Sequence, residues 1–465
     1  MPHLFVALLA GHCGVLPVRL IRGSSRASTC AISLPASTVL ISLILLFSLG
    51  CRSAEDSARE AGIVRLIYWP AQNEHERRLA GELVDEWNRE HPNVQVIVQP
   101  IPAGQSSEEV LLAAIVAGTT PDVCSNIWPG IVNGFVRAGG LLALDAFPDF
   151  DSLIQARVPP QLIDHFRSAD GHFYQMPWKT NPTMMLYNKR LLREAGFDGP
   201  PATYSEYLAA AARITSDLNG DGQLDRWIGY RDIRPIWWQR YFDFYAFYIG
   251  ASGGRTLFAE GKPALHIPAS ETVFSFFAEL YENHYFPLTT YQGSPFLAES
   301  IATEFTGPYN IGWMEENAPP DMEYAYAPLP APDDHEGPLY TYGDFKNIAV
   351  FSNTRHPKES WEFVRHLVSR RADLALLEIT RQIPVRRDLL ADSTFADFFQ
   401  RNPMVAPFAE QAPYTRGVDA VRDFQEILDA IAQEYEAAAV YRVRSPEEGA
   451  AAALERMRMI HEWSL

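Results

Sequence analysis

Between residues 63 and 123 the chain alternates twice between an extended apolar segment and an amphipathic helical one. This alternation restricts the fold more than any other feature of the sequence. Residues 63–69 form an apolar run with β-branched members, stopped by Pro70. Leu79, Leu83, Val84 and Trp87 then recur at helical spacing, which predicts a helix over 76–90. Pro92 and Asn93 make a turn, and 94–100 alternates as a second strand. Ser107, Glu108 and Glu109 open another helix with Val110, Leu111, Ala114 and Ile115 on its apolar face; Gly118 ends it, and Val123 belongs to a third strand. Strand, helix, strand, helix, strand with short connections is the signature of an α/β fold with a mostly parallel sheet. A single core stops growing near ~250–300 residues. The 465 residues therefore predict at least two lobes.

Helical signals continue downstream. Thr203 and Glu206 form a capping box, Pro357 suits a first helical turn ahead of Trp361, Val364 and Leu367, and Ser445 with Glu448 starts an Ala-rich final helix. From about residue 397 the chain reads as helical. No repeat of 20–50 residues is visible, which argues against a solenoid or propeller.

The first fifty residues have another character. Arg19, Arg22 and Arg26 precede a mainly apolar run of eleven residues, 39–49, broken only by Ser42 and Ser48 and followed by Gly50, Cys51 and a polar stretch. Basic n-region, short apolar core and small residue before the cut describe an export signal. A retained anchor is the other reading, because extending the run back to Ala31 approaches the ~20 residues a span needs, although Pro35 dilutes it. Residues 47–51 resemble a bacterial lipobox, which implies lipidation at Cys51; Ser48 stands where that motif usually has Leu. Of the four cysteines, Cys13 and Cys30 would leave with the signal, so Cys124 is expected to be a free buried thiol. Residues 51–62 are small and polar, as a tether would be.

Charge narrows the partners. The net charge is −18, and because residues 1–50 contain three Arg and no acid, the body after residue 50 alone carries −21. Such a surface repels phosphate backbones, so nucleic acid is not expected as a partner. No G-x-S-x-G, Walker A or H-E-x-x-H motif occurs. The sharpest local pattern is Asp217, Asn219, Asp221, Gln223 and Asp225 around Gly222. Oxygen donors at those offsets fit a structural calcium loop. Ile228 stands where the bidentate Glu would be, which leaves open an Asx-rich turn that caps its own backbone. No other cofactor is indicated.

Several segments, in order, resemble the extracellular solute-binding proteins of ABC importers, the family that includes maltodextrin-binding protein. They are Leu111 to Val123 with Gly118, Pro121 and Asp122; Ala138-Gly139-Gly140-Leu141-Leu142; Asp170-Gly171-His172-Phe173-Tyr174-Gln175-Met176-Pro177; Leu186-Tyr187-Asn188-Lys189 with Ala195-Gly196; Ala327-Pro328-Leu329-Pro330; and Gln382-Ile383-Pro384-Val385-Arg386. Their order over roughly residues 60–390 carries the likeness. It implies a periplasmic-binding-protein-like fold of two α/β lobes: residues 60–178 plus 333–390, and 185–323 plus 397–465. Crossovers at 178–184, 324–332 and 388–396 would form a hinge.

The resemblance further implies a monomeric, lipid-anchored receptor facing the periplasm or exterior. It would bind a carbohydrate and pass it to membrane permease subunits without chemistry. A carbohydrate-active enzyme and a surface glycan-capture protein without a permease are the alternatives. Sugars need flat rings against their C–H faces and polar groups for their hydroxyls. Loop tips after strands are where open α/β sheets bind ligands. The candidates at such places are Trp69 at the end of the first strand with Asn73 and Glu74 just beyond; Asn126 and Trp128 after the third; Trp178 and Asn181 in the first crossover; Trp313, in a segment resembling the family's second-lobe ligand loop; and Tyr342 with Asp344. Trp238 is added from the adjacent pair Trp237 and Trp238, whose side chains diverge so that at most one lines a cleft.

Overall fold

A computed structural model describes residues 62–102, 106–232, 234, 237–419, 421 and 424–463, with side chains omitted at 237–239. The export signal, the tether through Ala61 and Cys51 lie outside the described residues.

The predicted alternation is present, with ends shifted by one or two residues. β1 (Val64–Trp69) runs parallel to β2 (Val94–Val98) and β3 (Val123–Ile127), with Tyr68 opposite both Val98 and Val123. The helix Glu74–Glu90 connects the first pair; its N-cap Asn73 accepts the Glu76 N–H at 2.9 Å. The helix Ser107–Ala117 precedes β3 and ends at Gly118, whose φ of 67° is the left-handed C-cap that glycine favours.

The sheet extends through β4 (Met176–Thr180), β11 (Lys346–Val350) and β12 (Ile383–Pro384), in the order β12-β4-β11-β3-β1-β2. It is mixed rather than mostly parallel. β11 is antiparallel to both β3 and β4, and β12 is antiparallel to β4. These strands arrive from elsewhere in the molecule, so no βαβ crossover fixes their direction.

A second sheet places β5 (Met184–Asn188) between β8 (Thr303–Thr306) and β9 (Tyr324–Ala327), all antiparallel. Three short pieces complete the strands: the hairpin β6 (Phe258–Ala259) and β7 (Lys262–Pro263), and the pair β10 (Thr341–Tyr342) and β13 (Thr415–Arg416). The chain leaves the six-stranded sheet after Thr180, enters the three-stranded one at Met184, and returns between Ala327 and Lys346.

Two bodies of core follow from this path. Leu66, Leu83, Trp87, Phe150, Ile348 and Trp361 pack around the six-stranded sheet. Beside the three-stranded sheet the helices Trp237–Ala251, Ile267–Glu282, Phe424–Tyr435 and Pro446–Trp463 enclose an aromatic core, with Phe244, Phe274 and Tyr435 ring to ring. The helix Pro446–Trp463 carries a reciprocal capping box: Ser445 Oγ accepts the Glu448 N–H at 3.1 Å, and the Glu448 carboxylate accepts the Ser445 N–H at 3.0 Å. At Thr203 the box is skewed, since Glu206 reaches the Ala202 N–H instead.

One charged cluster sits inside the first body. Arg157 is buried, donates to Asp373 Oδ1 at 2.9 Å and to the Trp178 and Val368 carbonyls, and shares Asp373 with Arg386. It ties β4 to the helix Arg370–Thr380. Cys124 is a free, buried thiol, pushed up to about 12 by burial. Among the described residues no helix is long and apolar enough to cross a membrane.

Candidate functional site

A cavity of about 1430 Å³ opens between the two sheets and takes its walls from both. Trp128, Asn181, Tyr342, Asp344 and Lys346 line it from the six-stranded side and its connections. Arg231, Phe242, Glu304, Phe305, Tyr309 and Trp313 line it from the other.

The first wall is built where β3 ends. Trp128 follows Ile127 directly and enters the 3-10 turn Pro129–Ile131. Its ring lies so close over Gly130 that a Cβ there would stand 2.5 Å from the indole, so only glycine lets the ring rest in this place. The Trp128 N–H donates to Tyr342 Oη at 3.4 Å, and that hydroxyl donates to Asp344 Oδ1 at 3.2 Å. Lys346 Nζ stands 3.3 Å from the same carboxylate oxygen. The Tyr342 ring stacks on Phe242 at 4.4 Å, and Trp128 tilts against Phe424 at 5.9 Å. Burial first and the Asp344 charge second hold the Tyr342 phenol in its protonated, donating form.

The second wall centres on the helix Tyr309–Asn317. Tyr309 and Trp313 are four residues apart and so share one helix face. They remain 56% and 39% exposed, large rings left open at a cavity rather than packed away. Behind them Arg231 pairs with Asp243 at 3.0 Å and lies 4.8 Å from the centre of the Phe305 ring. Burial pushes the Asp243 carboxyl up to about 6 despite that arginine, and burial also raises Glu304.

A smaller chamber of about 440 Å³ shares Asn181, Tyr309, Asp344 and Lys346 with the first. Its other polar walls include Asn73, Glu76, Asn126 and Gln382. Glu76 forms a buried ion pair with Lys179. Gln382 Nε2 donates to Glu76 at 3.2 Å, and Asn181 Nδ2 donates to Gln382 at 3.2 Å. Burial alone would raise the Glu76 carboxyl, but Lys179, Gln382 and Asn73 together outweigh it and the group is held below its usual range.

Of the residues singled out by sequence, Trp128, Asn181, Trp313, Tyr342 and Asp344 border the large cavity, and Asn73 and Asn126 border the small one. Three others are placed elsewhere. Trp69 is buried against Leu111 and Cys124, because the end of β1 faces the helix Ser107–Ala117 rather than the cavity. Trp178 is inside the first core, its ring 4.5 Å from Lys179 Nζ. Glu74 is the exposed first residue of its helix. Trp238 begins a helix, and its side chain lies outside the described residues.

The Asp217–Asp225 segment is an exposed turn folded on its own backbone. Asp217 accepts the N–H groups of Asn219, Gly220 and Gly222, Asn219 accepts that of Asp221, Asp221 that of Gln223, and Asp225 those of Leu218 and Asn219. Among the described residues no group of three or more His, Cys, Asp or Glu side chains is arranged to hold a metal ion. Sequence reasoning missed Arg231, Phe242, Asp243, Glu304, Tyr309 and Phe424. Tyr309 lies within the ligand-loop segment four residues from Trp313, a spacing that could have marked it. The others meet only through tertiary packing.

Known proteins resemble this chain in sequence and in fold. A sequence profile described as bacterial extracellular solute-binding protein matches residues 73–373. A maltotriose-binding protein of Pyrococcus abyssi is 26% identical over 346 residues, 72% of this chain and 69% of that one. An arabinooligosaccharide-binding protein of Halalkalibacterium halodurans is 23% identical over 73% of this chain and 76% of that one. Among solved structures, the cyclic alpha-maltosyl-1,6-maltose binding protein of Arthrobacter globiformis superposes with a TM-score of 0.73 at 20% identity, covering 86% of this chain and 100% of that one. That likeness extends to the fold.

Proposed function

The chain belongs to the bacterial extracellular solute-binding protein family, and on that premise we propose that it is the carbohydrate receptor of an ABC importer. One observation carries the reading. A cavity between two sheets presents the rings of Trp128, Tyr309 and Trp313 together with the amide and charged groups of Asn181, Asp344 and Lys346. Rings cover the apolar faces of pyranose sugars, and the polar groups satisfy hydroxyls cut off from water. Relatives named for maltotriose and arabinooligosaccharide binding support an oligosaccharide over a monosaccharide. So does the cavity's volume of about 1430 Å³, which exceeds the ~300–1,000 Å³ usual for small-ligand pockets.

In this reading the lobes are residues 60–178 plus 333–390 and 185–323 plus 397–465. The connections at 178–184, 324–332 and 388–396 flex as a hinge. The guest stabilises the closed form by binding it more tightly than the open one. The closed receptor then docks on membrane permease subunits. Nothing in the cavity is asked to break a bond.

A thermal-shift and calorimetric panel of mono- and oligosaccharides tests the proposal. A saturable rise in melting temperature with at least one oligosaccharide, recovered intact, is expected. Binding of no sugar, or turnover of the bound one, overturns it. Export and acylation at Cys51 would tether the receptor to the cell envelope. The mass of the mature N-terminal peptide checks this, and a mature chain that begins elsewhere removes the anchor. The closed set of backbone bonds in the 217–225 turn supports its reading as a self-capped turn. Stabilisation by calcium over a chelator would assign that turn to the ion instead.

A further inference from the structure

The charges that line the cleft do not balance. Arg231 is matched by Asp243 and Lys346 by Asp344, while Asp232 is held by Arg234 outside the cavity. Glu108, Glu109, Glu304 and Glu426 then remain on the walls with Arg137 as the remaining cation. Glu304 is the most telling of them. It belongs to β8, two residues from the turn that leads into the Tyr309–Asn317 helix. Among the described residues its carboxylate accepts no hydrogen bond and forms no ion pair. Burial already raises it above the usual carboxylate range, with Arg231 only partly opposing.

A neutral sugar would meet this arrangement badly. Closing two walls on it strips water from Glu304 and gives back hydroxyl hydrogen bonds but no charge. An anionic sugar would add repulsion. A protonated amine supplies both the donors and the missing charge, and its attraction grows as water leaves the cleft.

We propose that the guest of this cleft is a cationic sugar, an oligosaccharide or its terminal unit bearing an unacetylated amino group that lies against Glu304 while its ring faces rest on Tyr309 and Trp313. The proposal rests on the carbohydrate reading above and narrows it.

Isothermal titration near neutral pH and low salt tests it with glucosamine, galactosamine and their oligomers. Each is paired with its N-acetylated counterpart, and maltotriose is measured beside them. The amino form of the preferred sugar is expected to bind at least about tenfold more tightly than the acetylated form. That preference should shrink as salt is added. It should collapse in Glu304→Gln and persist in Glu304→Asp, which keeps the charge; melting curves without ligand confirm that both variants fold. Equal or tighter binding of the acetylated or neutral sugars overturns the proposal while leaving the carbohydrate reading intact. So does a preference that survives in Glu304→Gln. If no sugar of any kind binds, the carbohydrate reading falls with it.

Discussion

The indole N–H of Trp128 donates to the phenol of Tyr342 at 3.4 Å, across 214 positions of sequence. The bond joins the tip after β3 to the strand that precedes β11, and Asp344 accepts a hydrogen bond from the phenol in turn. Neither ring is free to choose its own orientation. A ligand therefore meets a wall already set, which lowers the ordering cost of binding.

Gly130 protects that arrangement. In Gly130→Ala the new Cβ would lie 2.5 Å from the indole of Trp128, so the ring must swing away and give up its bond to Tyr342. Overpacking of this kind costs about 1–3 kcal/mol. The variant is expected to bind its sugar about tenfold more weakly or worse. It should also alter the tryptophan fluorescence of the ligand-free protein. Unchanged affinity and fluorescence would mean that Trp128 is not held as described.

Trp313 is open to the cavity rather than packed into a core, at 39% exposure. Trp313→Ala should weaken sugar binding at least about tenfold. It should move the stability of the empty protein by no more than about 0.5 kcal/mol. Calorimetry and melting curves on the same preparation separate the two effects, and normal affinity would remove Trp313 from the site.

Asp243 makes the empty protein sensitive to pH. Burial lifts its carboxyl to about 6 in the folded state, against an ordinary value of 3.8. A folded-state value above the unfolded one favours the native protein while the group is protonated. The contribution is complete below the unfolded value and lost as pH rises through about 6. Falling pH from neutral toward 4 should therefore stabilise the wild type relative to Asp243→Asn, by at most about 3 kcal/mol. Parallel pH profiles of the two proteins would disprove the shift. Absolute stabilities are not the comparison, because the variant also disturbs the Arg231 pair.

Asp373 is the shared carboxylate partner of two guanidinium groups, the buried Arg157 and the part-buried Arg386. Asp373→Ala leaves both uncompensated and should destabilise the protein by about 3–5 kcal/mol, visible in denaturant unfolding. A loss under about 1 kcal/mol would show that the helix Arg370–Thr380 does not depend on this cluster.

Periodicity was enough to read β1, β2, β3 and the helices between them, because each of these elements satisfies its backbone and buries its apolar side within a few dozen neighbouring residues. Turn and capping chemistry is as local, so Asn73, Gly118 and Ser445 announce helix ends without help from the rest of the chain. The loop tip bearing Trp128 could be named for the same reason, since a residue just past a strand end is displayed wherever the strand goes; Trp313 is marked by its family-like segment instead, and lies within the helix Tyr309–Asn317 rather than on a loop. Residue type alone could not decide which rings stay open. Trp69 and Trp178 look as suitable as Trp128 in one dimension, yet both are roofed by packing, and only the crossing of the chain between two sheets brings Trp128 and Trp313 to one cavity. The antiparallel return of β11, the pairing of Arg231 with Asp243 and the unmatched charge of Glu304 depend on contacts between distant segments, whose energies no local spacing records.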